Sequence, residues 1–131
     1  MKFSIKDVYA YRDEKNYIGG PYLLTQVRFW CPGCNMLHAV TIQKAEGRQE
    51  PVWKMSGSGD SLTFSPSIKV TYRHPKGYSD ENPAPMDYEG PYVDDICHSF
   101  VKEGRIQFLN DCSHSLKNQT VNLPYLPDWA C

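Results

Sequence analysis

The chemistry in this chain is concentrated in two pairs of cysteines. Cys31 and Cys34 enclose a proline and a glycine, and this Cys-x-x-Cys spacing is typical of a knuckle that aims two thiolates at one point. Cys97 and Cys112 stand at the two ends of a later apolar hairpin, so pairing of its strands brings them together. Four thiolates suit tetrahedral Zn²⁺. The spacing therefore predicts a zinc site formed by Cys31, Cys34, Cys97 and Cys112.

Nearby histidines leave the membership of this ligand set open. His98 follows Cys97 directly, so a slip of one residue in the hairpin would exchange one for the other. His114 and His38 also lie close to the cysteines in sequence, and each is an alternative ligand or a hydrogen-bond donor to a ligand sulfur. A redox pair is the competing interpretation of the knuckle, but such pairs favour a helix start in a parallel α/β unit. For the two hairpin cysteines, the competing interpretation is that they are buried core residues.

Strand-forming segments surround both cysteine pairs and must position them. "PYLLTQVRFW" and "LHAVTIQ" are rich in β-branched and aromatic residues and flank "CPGCNM", which predicts an antiparallel hairpin with the knuckle at its tip. In the later hairpin, a turn at Glu103 and Gly104 pairs Val101 with Ile106 and places Ser99 opposite Phe108. The pattern predicts a mainly β fold of antiparallel hairpins joined by the zinc site.

One short helix is predicted near the C-terminus. Asp111 is suited to cap a helix from Cys112 to Lys117, and Asn118 is suited to the left-handed residue that ends it.

The stretch from Arg73 to Ile96 has four prolines, several acids and no sustained period, which predicts a long loop inserted into a single domain spanning 1–131. Tyrosines and acids are interleaved in it. Because such side chains are frequent at interfaces, Tyr78, Tyr88, Tyr92 and Asp94 are predicted to bind a protein partner.

Composition narrows the class of protein. The formal net charge is −1 for 131 residues, and acids and bases are mixed, so nucleic-acid binding is not expected. The first residues become charged too early for a signal peptide, and no apolar run reaches the length of a membrane span. Five cysteines, an odd number, argue against a disulfide framework, and Cys131 is expected to be a free thiol. We expect a cytoplasmic protein, or one in the host cytoplasm if it is phage-encoded.

Two serines flank a proline in "TFSPSI". The hydroxyls of Ser65 and Ser67 could hold a substrate near a metal, but a bulged strand whose hydroxyls satisfy freed backbone groups is the favoured interpretation.

A family resemblance rests on "WCPGCNMLHAV", "TFSPSI" and "CHSFVKEGRIQFLNDCSHSLKNQTVNLP". With these motifs the chain resembles a family of small zinc-binding proteins of phages, prophages and bacteria, of unknown function, some of which carry an ammonia monooxygenase label that this sequence does not support. The resemblance covers most of the chain apart from the first twenty residues and the Arg73–Ile96 stretch. It implies a phage or prophage origin and zinc, and it implies no reaction.

Two functions follow as hypotheses. The first is a zinc-stabilised module that binds a host or phage protein, as an inhibitor of a host system, because four cysteine ligands make a closed structural site. The alternative is a zinc-dependent hydrolase with a Cys/His site, in which His98 and His114 lie near the metal and Asp111 acts as the base.

Overall fold

The computed structural model describes residues 1–10, 22–44, 50–78 and 82–131. Its described strands form three antiparallel sheets. The first sheet has the order β1-β2-β3, the second is the ribbon β4-β5, and the third has the order β6-β7-β8-β9. The strands are β1 Phe3–Ala10, β2 Tyr22–Cys31, β3 Met36–Lys44, β4 Lys54–Ser56, β5 Thr63–Ser65, β6 Ile68–Pro75, β7 Tyr92–Lys102, β8 Arg105–Phe108 and β9 Thr120–Asn122. The predicted mainly β class is confirmed.

Both predicted hairpins are present. Strands β2 and β3 pair from Cys31 opposite Met36 inward, so the knuckle forms the tip. In the third sheet, Val101 pairs with Ile106 and Ser99 with Phe108, which confirms the predicted register.

The turn of the later hairpin explains that register. Glu103 and Gly104 both have positive φ, 51° and 74°, as a two-residue hairpin turn with right-handed strand twist requires.

The core lies between the inner faces of the first and third sheets. Its most buried side chains include Val27, Phe29, Ile106 and Phe108, with exposures of 0–1%. Burial of aromatic and aliphatic side chains such as these is the main favourable term in folding. Cys31, Cys34, Cys97 and Cys112 belong to the same buried cluster.

The predicted helix from Cys112 to Lys117 is wrong. The chain forms successive turns there, and the described residues contain no helix other than a short 3-10 helix, Asp128–Ala130. Hydrogen bonds to other segments account for the difference, because the Ser113 N–H donates to the Ile96 carbonyl at 2.9 Å and ties the segment to β7. Asn118 nevertheless has φ 66°, the left-handed conformation expected of it. The described part of the chain holds no helix long and apolar enough to cross a membrane.

The predicted Arg73–Ile96 loop is too long. Strand β6 continues to Pro75 and β7 begins at Tyr92, so both ends of the stretch pair in the third sheet. Residues 79–81 lie outside the described part. The Tyr88 ring contacts those of Tyr78 and Tyr92 edge-on, at centroid distances of 5.2 and 5.6 Å.

Candidate active site and metal centre

Three cysteines and a histidine converge where the first and third sheets meet. One ligand atom from each of Cys31, Cys34, Cys97 and His114 lies within 4.8 Å of the other three. The Cys31 and Cys97 sulfurs are 3.9 Å apart, and the Cys34 N–H donates to the Cys31 sulfur at 3.4 Å. Three sulfurs and an imidazole are a donor set that tetrahedral zinc takes in structural sites.

His114 joins the cluster by lying over the knuckle. A Cβ at Gly33 would overlap the His114 ring, so the glycine leaves the space that the imidazole fills. The Phe108 ring holds the imidazole edge-on at a centroid distance of 4.4 Å. Burial lowers the pKa of His114 and favours the neutral ring that metals bind. Its Nε2 is buried and has no hydrogen-bond partner among the described residues, as expected of a nitrogen that binds a metal ion.

Ionisation of one thiol in this cluster opposes ionisation of the other two. Hydrogen bonds from Cys31 and Cys97, with contributions from His38 and Tyr72, place the pKa of Cys34 far below its usual value. The hydrogen bond to Cys34 and burial raise the pKa of Cys31 to about 12, and that of Cys97 also rises. A dication would remove this conflict, because it stabilises all three thiolates together.

Cys112 and His38 lie beside the cluster instead of in it. The Cys112 sulfur accepts the His98 N–H and its S–H donates to the His98 carbonyl, both at 3.2 Å. His38 is buried next to Cys34, and its ring favours the thiolate form of that cysteine. The structure therefore brings together three of the four predicted ligands with His114, one of the alternatives.

Burial alternates along β7, and this alternation separates the cluster from a second site. Cys97, Ser99 and Val101 are buried, whereas His98 and Phe100 lie on the outer face. The His98 side chain is therefore directed away from the cysteines, although the His98 backbone is hydrogen-bonded to Cys112. This outer face carries groups that the cysteine cluster does not use.

On the outer face, His98 links a serine and an aspartate. Its Nε2 lies 2.9 Å from Ser67 Oγ, and its Nδ1 lies 3.0 Å from Asp111 Oδ2. Nδ1 carries the proton and donates to the Asp111 carboxylate, since this assignment leaves Nε2 free to accept the Ser67 O–H. The His98 side chain is 24% exposed and that of Asp111 is 39% exposed, so the site is open to solvent.

The backbone around Ser67 is held on both sides. The Trp53 indole N–H donates to the Ser67 carbonyl at 3.2 Å, which joins the segment of Ser67 to the chain entering β4. Ser67 immediately precedes β6, whose first residue Ile68 pairs with Ser99. This pairing places the Ser67 hydroxyl beside the strand that carries His98.

The structural interpretation of both serines stays a prediction, but the two side chains lie in different surroundings. Ser65 lies in β5 opposite Lys54, whereas Ser67 Oγ contacts the histidine. The contact between His98 and Asp111 could be found from the sequence, because the register of the hairpin places these two residues near each other. The sequence did not indicate which of the two serines the β5–β6 connection would bring to His98 and Asp111.

A serine, a histidine and an aspartate linked in this order form the constellation of a serine hydrolase, which is recognised by geometry and roles and not by order in the chain. The chain belongs to the family described as the bacterial ubiquitination-like system serine protease, BubE, whose model matches residues 4–109. That match includes Ser67 and His98. No curated protein and no solved structure matches the chain.

The family overturns the first functional hypothesis. The prediction of a phage-type module that binds a host or phage protein is wrong, because the family is one of bacterial proteases; the hydrolase alternative fits it better. The tyrosines assigned to a partner contact one another, and Asp94 lies 3.5 Å from Arg73 in an exposed ion pair.

Proposed function

We propose that this chain is a serine protease that acts within a bacterial ubiquitination-like system, with Ser67 as nucleophile, His98 as general base and Asp111 as the group that orients the base. The observation that carries the proposal is the continuous hydrogen-bonded chain from Ser67 Oγ through His98 to Asp111. The family to which the chain belongs, that of a bacterial ubiquitination-like system serine protease, supports a peptide bond as the substrate and this system as the setting.

The reaction follows from these contacts. Ser67 Oγ attacks the scissile carbonyl while its proton passes to His98 Nε2, and the imidazolium is stabilised by the Asp111 carboxylate. The same proton then goes to the leaving amine, the C–N bond breaks and an acyl ester on Ser67 remains. Water, deprotonated by His98, hydrolyses that ester and restores the serine hydroxyl.

We further propose that the cluster of Cys31, Cys34, Cys97 and His114 holds zinc as a structural ion. Four protein donors complete a tetrahedral shell, which is typical of structural sites, and the ion would stabilise the thiolates. The cluster joins the knuckle to β7 and to the turns after β8, so it supports the strand on which His98 lies. The hydrolase proposed here therefore differs from the zinc-dependent alternative, because Ser67 supplies the nucleophile.

The test uses the two serines of one segment. Incubation with a fluorophosphonate should add one adduct to the protein, and peptide mapping should place it on Ser67, because only an activated serine reacts readily. Ser67→Ala should abolish both labelling and peptide cleavage. Ser65→Ala is the matched control and should keep both. Labelling of another residue, or cleavage that survives Ser67→Ala, would show that the nucleophile is elsewhere.

A further inference from the structure

A groove of about 470 Å³ extends along the same outer face as the triad. Most of its lining consists of outward side chains of β7, β8 and β9. The lining residues are Thr63, Phe64, Phe100, Val101, Lys102, Glu103, Arg105, Gln107 and Thr120. Phe100 is 44% exposed, although it is a large apolar side chain. Because Phe100 is two residues after His98 on one strand, the groove begins next to the catalytic base.

The dimensions of this groove suit an extended peptide. A strand rises about 3.3 Å per residue, so Phe100 lies about 7 Å and Lys102 about 13 Å from His98 along β7. An extended substrate advances by the same amount per residue. A peptide bound at Ser67 therefore passes Phe100 and reaches Lys102 within about four residues of its scissile bond.

The far end of the groove carries an unbalanced positive charge. Lys102 lies directly opposite Arg105 in the ladder. Like charges in this position destabilise a pair of strands. Within the described part of the chain, neither cation forms an ion pair. Glu103, in the turn between them, is the single acid among the lining residues, so an excess of one positive charge remains.

We propose that this Lys102–Arg105 groove binds the extended peptide substrate through an acidic side chain that lies two to four residues from the scissile bond. The inference rests on the proposed protease function and names the class of substrate. The exposed Phe100 ring contacts an apolar side chain of the peptide nearer to Ser67, and the two cations compensate the acid. Binding of the acid offsets the repulsion that the free protein retains.

The first test moves a charge along a peptide. In a series of otherwise identical fluorogenic peptides, a single Asp replaces Asn at each position up to four residues from the cleaved bond, and kcat/KM is measured. One position should raise kcat/KM roughly tenfold, as expected for two partly exposed charge pairs. The double change Lys102→Glu with Arg105→Glu should abolish this preference and favour Lys at the same position.

Two controls keep the result interpretable. Lys6→Glu makes the same charge change on the first sheet, where Lys6 pairs with Gln26, and should leave the preference unchanged. Lys102→Gln with Arg105→Gln removes the charges without adding acids and should reduce the preference for Asp to near unity. This variant serves as the test if the charge-reversed variant does not fold. An equal rate for every Asp position, or an unchanged preference in the charge variants, would overturn the groove as the acid site.

Binding to the inactive Ser67→Ala variant separates this inference from the proposed function. Fluorescence anisotropy should show roughly tenfold tighter binding of the preferred Asp peptide than of its Asn counterpart. Acid-dependent binding without any cleavage by the unmodified protein would support the groove and contradict the protease. Equal cleavage of all peptides, with or without Asp, would support the protease activity and overturn the groove as the acid-binding site. Absence of both cleavage and acid-dependent binding would overturn both.

Discussion

At the scale of single residues, Ser67 depends on its neighbours for its chemistry. A serine hydroxyl is a weak nucleophile at its free pKa, and an adjacent base activates it. In the proposed mechanism, the Ser67–His98 contact supplies the base, and the His98–Asp111 contact fixes which ring nitrogen carries the proton. Cys112 adds a further constraint, because its sulfur contacts both the N–H and the carbonyl of His98. His98 is thus held at its ring and at its backbone.

Replacement of Asp111 by Asn tests the orientation of this base. The amide would donate to Nδ1, move the proton to Nε2 and leave no acceptor for the Ser67 hydroxyl. We expect kcat to fall by roughly 10⁴-fold, the magnitude such a tautomer change causes in a Ser-His-Asp site. The melting temperature should change little, because the Asp111 side chain is partly exposed.

The control is Asp94→Asn, which removes the same charge from an exposed ion pair with Arg73. It should leave kcat unchanged. A drop of less than tenfold in Asp111→Asn would mean that Asp111 does not orient His98.

At the scale of elements, the turn after β7 joins the third sheet to the β4–β5 ribbon. The Gly104 N–H donates to the Leu62 carbonyl at 3.1 Å, and the Glu103 N–H donates to Thr63 Oγ1 at 2.9 Å. The connection from β5 to β6 carries Ser67. The turn therefore helps to hold the segment of Ser67 against the strand that carries His98.

Gly104 in this turn and Gly77 after β6 separate the effect of backbone conformation from that of a close contact. Gly104 has φ 74°, and a Cβ there would overlap the Asp60 carbonyl oxygen; Gly77 has φ 83° with open space around it. Gly77→Ala should cost about 1 kcal/mol of unfolding free energy, from the left-handed backbone alone. Gly104→Ala should cost at least about 2 kcal/mol, since the overlap adds to that strain.

Urea unfolding of both variants measures the difference. Equal costs would show that the Asp60 backbone moves away without a penalty.

At the scale of the whole molecule, the cysteine cluster joins segments far apart in sequence. Cys31 and Cys34 belong to the first hairpin, Cys97 to β7, and His114 to the turns that follow β8. Closing loops of this length in an unfolded chain costs entropy, so an ion held there would stabilise the folded state. His98 lies on the opposite face of β7, the strand that also carries Cys97. Loss of the ion should therefore disturb catalysis indirectly, through the position of His98.

Removal of the metal should destabilise and inactivate the protein together. We expect one zinc per chain, and complete chelation should lower the melting temperature by roughly 10 °C or more, because several kcal/mol of binding free energy are lost. Fluorophosphonate labelling of Ser67 should fall in parallel. Metal content is measured by elemental analysis and stability by differential scanning fluorimetry.

Single variants then identify the fourth ligand. His114→Ala should lose zinc, whereas Cys112→Ala should retain it, and Cys131→Ala, at the exposed C-terminal residue, serves as the control. Loss of zinc in Cys112→Ala with retention in His114→Ala would return the ligand set to the four cysteines.

Local patterns were sufficient to predict the mainly β class, the position of the knuckle at the tip of the first hairpin, and the register of the second hairpin. Turn chemistry and side-chain alternation act over a few residues, so the pairing of Val101 with Ile106 follows from the sequence around Gly104. The same alternation places Cys97 and His98 on opposite faces. The prediction of the helix after Asp111 failed, because capping propensity was outweighed by hydrogen bonds to β7 that connect distant segments.

Tertiary structure alone decided which serine lies against His98 and which side chain completes the cysteine cluster. The approach of Ser67 to His98 depends on how β6 pairs with β7 across 31 residues of sequence, and no local pattern encodes that distance. His114 enters the cluster because the turns after β8 lay its ring over Gly33, a contact between segments that meet only in the folded chain. Residue types and short spacings thus determined which chemistry was available, whereas long-range packing determined which groups meet to perform it.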